Sequence, residues 1–199
     1  RLQCDLSDLD YDHLPFRDVD LTRCMFRKSN LSGRDLSGAR LTGCLFLEAK
    51  LDGADLSNAT LDMANFAQAD LTGARLDGAR AKAAIFAAAT LSRASLRAAQ
   101  LRNSILPNAT AVGADFEAAD LRETVWTEVD ATGANFASAD LRYADLSYAV
   151  LDGAAFAGAQ LGRTNLHGVL ERDTTWQGAN RTAARGTDEH RFHGERGFR

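Results

Sequence analysis

Aromatic residues make up only 8% of this 199-residue chain, and it has two prolines and three cysteines. Scarce aromatics exclude a core built mainly on rings, so aliphatic side chains must fill most of the interior. An odd cysteine count excludes a fully paired disulfide framework and makes a reducing cytoplasm the default expectation. No apolar run reaches the length needed to cross a membrane as a helix. Net charge is −4, too small to name a nucleic acid or an acidic surface as partner. The motifs G-x-S-x-G, P-loop and H-E-x-x-H are all missing, and with them the commonest sequence evidence for an enzyme or a bound cofactor.

What is present is a period of five. The stretch 65–80 reads NFAQADLTGARLDGAR. A large apolar centre recurs at every fifth residue from Phe16 to Leu166, and 27 of these 31 positions hold Leu or Phe, so the register never slips. The exceptions are Ala81, Ala111, Trp126 and Ala131. Two residues before each centre stands a small residue, Ala at 21 of the 31 positions. Asp or Asn often precedes the centre, as at Asp35 and Asn65, and Gly often follows two later, as at Gly38 and Gly73. A step of five forms no face on a helix and alternates faces on a strand. To keep every centre inside, the chain must turn after each one.

A second period gives the number of sides. Phe26, Phe46, Phe66 and Phe86 are 20 apart, as are Phe116, Phe136, Phe156 and Trp176. Like residues stacked in register mean one coil per 20 residues, hence four repeats per coil and about eight coils. The reading is an all-β solenoid over 1–180, with a polar segment at 181–199 that is a cap extension or a disordered tail. Glu171 replaces a centre, so fraying is expected after Leu166, with Trp176 as a last plug. The chain opens on Arg1 with Cys4 and Leu6 already in register, so further sequence is expected upstream.

The segments ADLSN (54–58), ANFAQ (64–68), ADLTG (69–73) and ADFEA (114–118) resemble the pentapeptide-repeat family. The resemblance implies a right-handed quadrilateral β-helix. It also implies a range of roles: some members bind DNA gyrase as duplex-DNA mimics, commonly dimerising through a C-terminal end, and others accompany secretion systems or act as secreted effectors.

Several residues depart from the repeat. Leu14, Val19 and Val129 enlarge the small site, and Arg34 places a charge there, expected to bend outward or meet Asp35. Cys4, Cys24 and Cys44 stack one per coil, but they fill the small buried site where Cys serves as a compact hydrophobe. His190 and His193 in EHRFH are read as solvated, so no metal and no cofactor is expected.

Two outward columns stand out. Met25, Leu45, Ile85, Ile105 and Val125 occupy one column just before their centres, interrupted by Asn65, with Leu47 and Pro107 on the same wall. This stripe is the candidate interface, for a protein partner that includes a second copy of the chain. Lys82, Arg102, Arg122 and Arg142 form a basic ladder, read as a salt-bridged solvated wall because Asp120 and Asp140 flank it. Charge is also zoned: 75–102 carries five Arg and one Lys against Asp77, a net of +5, between segments of −4 (1–74) and −7 (103–180). A DNA mimic needs continuous negative charge, so gyrase binding is the less favoured alternative, and a secretion-associated or effector domain is another. Direct nucleic-acid binding is disfavoured by the negative total. The sequence is read as a non-catalytic interaction scaffold.

Overall fold

A chain that places a large side chain inside at every fifth residue must bend between successive ones, and the computed structural model shows how. It describes residues 4–7 and 16–187. Leu14, His190 and His193 lie outside the described residues. In each repeat three extended residues (small, outward, centre) lead into a two-residue turn. The amide of the next small residue donates to the carbonyl of the centre, as Ala39 N to Leu36 O (3.1 Å) and Ala74 N to Leu71 O (3.0 Å). The second turn residue has positive φ at every fifth position from Asp18 to Gly178. An i→i+3 bond with positive φ at the third residue is a type II turn, which explains the recurrent glycine.

The outward residue forms a parallel bridge to its counterpart 20 residues on, as in Met25↔Leu45, Asp35↔Asp55 and Thr60↔Arg80. Repeated on four sides, these bridges build a right-handed quadrilateral β-helix of about eight coils. Asp or Asn before the centre has a local task. Its carboxylate or amide oxygen accepts the amide of the residue after the centre, as Asp70 Oδ1 does from Thr72 N (2.9 Å) and Asn65 Oδ1 from Ala67 N (2.9 Å). That amide has no carbonyl partner in the coil, so the side chain supplies one.

Inside, Phe26, Phe46, Phe66 and Phe86 stack with centroids 4.9, 4.8 and 5.0 Å apart. On the opposite wall Phe116, Phe136, Phe156 and Trp176 stack at 5.1, 4.7 and 4.3 Å. Trp126 projects from the first wall, edge-on to Phe116 (4.9 Å) and Phe136 (5.5 Å). Its coil therefore holds two bulky centres, and Ala131 between them keeps the interior volume constant. The indole Nε1 donates to Thr124 Oγ1 (2.9 Å), so no polar atom of this buried ring is stranded.

Glu171 does not end the coil, contrary to the fraying expected after Leu166. Bridges continue through Ala155↔Thr175 to Asn165↔Arg185, with a short 3-10 turn at Arg181–Ala183. Glu171 and Arg181 both occupy centre positions of this last coil and pair with each other. The Arg181 guanidinium lies 4.9 Å from the Trp176 ring centroid, on a ring whose other face stacks on Phe156. A charged pair can replace two apolar centres here because, among the described residues, no further coil stacks on them. At Arg34 the repeat keeps its ordinary backbone bonds, with Arg34 N donating to Leu31 O (3.1 Å), and the residue is half-buried.

Candidate interaction surface

The bridges align Met25, Leu45, Asn65, Ile85, Ile105 and Val125 into one continuous outward column. Five of the six are half-buried, and Ile105 is 37% exposed. Half-buried Leu47 and Pro107 flank the column on the same wall. The structure adds neighbours that apolar patterning alone did not single out. Ala67, Ala87 and Ala88 continue the flank, and Met63, 61% exposed, lies on the opposite rim. In the three coils at 63–68, 83–88 and 103–108 this wall carries no charged side chain.

An apolar residue in this column forgoes the turn-capping hydrogen bond that Asp or Asn makes elsewhere. The amides of Leu47, Ala87 and Thr127 have no protein acceptor among the described residues and are left to water. Each such bond contributes about 0.5–1.5 kcal/mol, so the stripe runs against the local stability of its own turns. At Pro107 the conflict is absent, since proline has no amide hydrogen to cap and its fixed φ suits this turn position. Among the described residues the other three walls hold no comparable run: their outward columns alternate Asp, Arg, Thr, Ser, Asn, Lys and Gln, and become apolar only at Val150, Ala155 and Leu170.

Three of the four rungs of the basic ladder, Arg102, Arg122 and Arg142, are held by carboxylates. Arg122 grips Asp120 with two bonds, Nε to Oδ1 (2.7 Å) and Nη2 to Oδ2 (2.6 Å), and Arg142 grips Asp140 in the same way (2.8 and 2.6 Å). The Arg122 hydrogen bond holds the Asp120 carboxyl below the usual carboxylate range. Arg102 reaches Glu123 on the next coil (2.5 Å). The side chain of Lys82 makes no ion pair among the described residues, while its backbone amide donates to Asp62 (3.1 Å). The wider basic belt is paired as well: Arg80 with Asp62 (2.6 Å), and Arg97 with Asp115 (2.9 Å) and Glu117 (2.6 Å).

Cys24 and Cys44 are buried and Cys4 is exposed. Cys44 Sγ donates to Leu21 O (2.9 Å), and burial pushes its thiol up to about 12, far from a reactive thiolate. Among the described residues no group of His, Cys, Asp or Glu is placed to hold a metal ion, and no helix is long and apolar enough to cross a membrane.

A rod of identical turns, stacked Phe centres and Asp/Asn-capped corners defines a class of protein, and comparison places the chain in it. It matches the Pentapeptide repeats family in eight copies over residues 16–43, 49–86, 84–122, 112–147 and 134–170, and belongs to that family. Among solved structures it is similar to HetL of the cyanobacterium Nostoc, a protein involved in heterocyst differentiation regulation. The two are 26% identical with a TM-score of 0.62, covering 94% of this chain and 90% of HetL. It is also similar in fold to a trypsin-treated variant of QnrB1, a plasmid-mediated fluoroquinolone resistance protein. There the identity is 23% and the TM-score 0.56, covering 98% of this chain and 97% of QnrB1. No curated protein matches the chain.

Proposed function

We propose that the chain is a non-catalytic protein–protein interaction scaffold and that the wall of Met25, Leu45, Leu47, Ile85, Ile105 and Val125 is its contact surface. The observation that carries this reading is that one wall alone puts an apolar residue in place of the outward polar one in five of six consecutive coils, with Asn65 the exception. A contiguous exposed patch of a few hundred Å² is the usual mark of a binding surface. Spread over a rigid β-helix, it needs no moving part and no reacting group.

The test is capture of cellular proteins by the immobilised chain, comparing the parent with Ile85→Asp/Ile105→Asp and with Thr90→Asp/Thr110→Asp on the adjacent wall. Loss of captured protein in the first variant and retention in the second is expected. Equal capture by all three overturns the reading.

The second reading is a gyrase-binding DNA mimic. The fold shared with QnrB1 supports it. Against it stands the net +5 segment at 75–102, which breaks the negative charge along the rod. A gyrase supercoiling assay decides: neither inhibition nor drug protection at large molar excess removes this reading.

A further inference from the structure

The rims of the apolar wall suggest which protein it meets. At the Met25 end stand the exposed cations Arg23, Arg27 and Lys28, and at the Val125 end the exposed acids Glu123 and Glu128. Arg27 and Lys28 lean on Glu48 at 3.4 and 3.7 Å, and Glu123 pairs with Arg102, whereas Arg23 makes no ion pair among the described residues. The two coils lie symmetrically about the middle of the stripe, which falls between Asn65 and Ile85.

We propose that the wall recognises a second copy of itself, the two solenoids packing face to face with their axes antiparallel. This rests on the reading of the wall as a protein contact. In this pairing Met25 faces Val125 of the second copy, Leu45 faces Ile105, and Asn65 faces Ile85. Each residue meets its counterpart in the same column, because a two-fold axis across the wall reverses the coil order and keeps the columns. Arg23 then faces Glu123, and Lys28 faces Glu128, once at each end. Leu47 faces Pro107 and Ala67 faces Ala87. A two-fold contact must be self-complementary in this way.

The alternatives meet like charges or set a lone charge on the apolar stripe. With the axes parallel, the two rims of each coil exchange places, so Arg23 faces Lys28 and Glu123 faces Glu128. Slipping the antiparallel pair by one coil sets Glu48 against Glu128 in one direction, and in the other lays Asp5 on Val125. Like charges face to face penalise a wrong register and opposite charges fix the right one. Beyond the stripe Asp5 would face Asp145, which confines the contact to six coils.

The stripe is about 24 Å long, from five coil steps of ~4.8 Å, and about 16 Å wide, from five residues of ~3.3 Å. Its area of roughly 400 Å² per copy lies below the ~800 Å² of a standard interface, so the dimer is weak and concentration-dependent.

Sedimentation equilibrium from roughly 1 µM to 1 mM reads this association directly. The parent is expected to shift from monomer to dimer across the series. Arg23→Glu/Lys28→Glu should weaken dimerisation at least tenfold, and adding Glu123→Arg/Glu128→Lys to the same chain should restore it, since the swap recreates both antiparallel pairs. Circular dichroism confirms that each variant keeps the parent's fold. A parent that stays monomeric throughout overturns the proposal, as does a dimer that persists in Ile85→Asp/Ile105→Asp, or a charge swap that fails to restore association. If the parent is monomeric but the isoleucine variant still loses captured cellular protein, self-recognition falls and the wall's role as a protein contact stands. If capture is also unchanged, both fall.

Discussion

The second residue of each turn holds the chain in a conformation that side chains resist. Ala98 sits at φ 53° and Ala88 at φ 54°, whereas Gly133 reaches φ 66° in open space, where an added Cβ would touch nothing within 4 Å. An L-residue in this region costs about 1–2 kcal/mol, partly offset by the lower unfolded-state entropy of a non-glycine residue. Ala98→Gly should therefore stabilise the fold by roughly 0.5–1 kcal/mol, and Gly133→Ala should destabilise it by a similar amount, read from chemical denaturation midpoints. The recurrent glycine was legible in the sequence. The turn type behind it was not, because Ala, Glu, Met and Tyr fill the same site at Ala88, Glu123, Met63 and Tyr148. The role of Asp and Asn before the centre was likewise hidden, since a side chain's hydrogen bond to an amide two residues on leaves no periodic trace of its own. It yields a two-sided prediction. Val125→Asn should recover a capping bond to Thr127 and stabilise the monomer by about 0.5–1.5 kcal/mol. The same change should weaken association in the sedimentation series, because it removes an apolar contact from the stripe.

Columns behave differently from single residues. The two Phe stacks were visible as 20-residue spacings, and so was their placement on opposite walls. The edge-on insertion of Trp126 between Phe116 and Phe136 was not, because ring orientation depends on depth inside the coil. Phe136→Ala removes the ring that Phe116, Trp126 and Phe156 all touch and should destabilise the fold by about 3–5 kcal/mol, measured by denaturant titration. The arginine columns carry a weaker effect with a defined pH dependence. Asp120 has its carboxyl pKa lowered, first by the hydrogen bond from Arg122. A lowered folded-state value adds stability that is fully present above the unfolded value near about 4 and is lost as pH falls through the folded value. Arg122→Ala should accordingly shrink the stability difference between neutral pH and about pH 3 by roughly 0.2–1 kcal/mol, the range of partly exposed ion pairs. That Arg122 and Arg142 are neutralised could be anticipated from Asp120 and Asp140 beside them. The pairing of Arg102 with Glu123 across coils could not, because those residues are 21 apart on different columns.

Taken whole, the molecule is a rod whose last described coil is closed by the Glu171–Arg181 pair over Trp176. Stacked coils bury apolar centres only against another coil, so an apolar end would invite a second rod. Replacing both charges, Glu171→Leu/Arg181→Leu, should leave the fold intact and produce end-to-end association, seen as species larger than a dimer by light scattering. The sequence marked Glu171 as an anomaly but not its partner, because the two meet across the coil and not along the chain. The unbroken register has a further consequence for how such a chain can change its length. Removing one repeat, for example 71–75, would turn everything after it by a quarter revolution relative to everything before. Met25 and Leu45 would then point along one compass direction, and Ile85, Ile105 and Val125 along the next. Only gains or losses of whole 20-residue coils preserve the bearing of the wall, so a gene encoding it can lengthen or shorten without scrambling its surface only in units of sixty nucleotides, three for each residue of a coil.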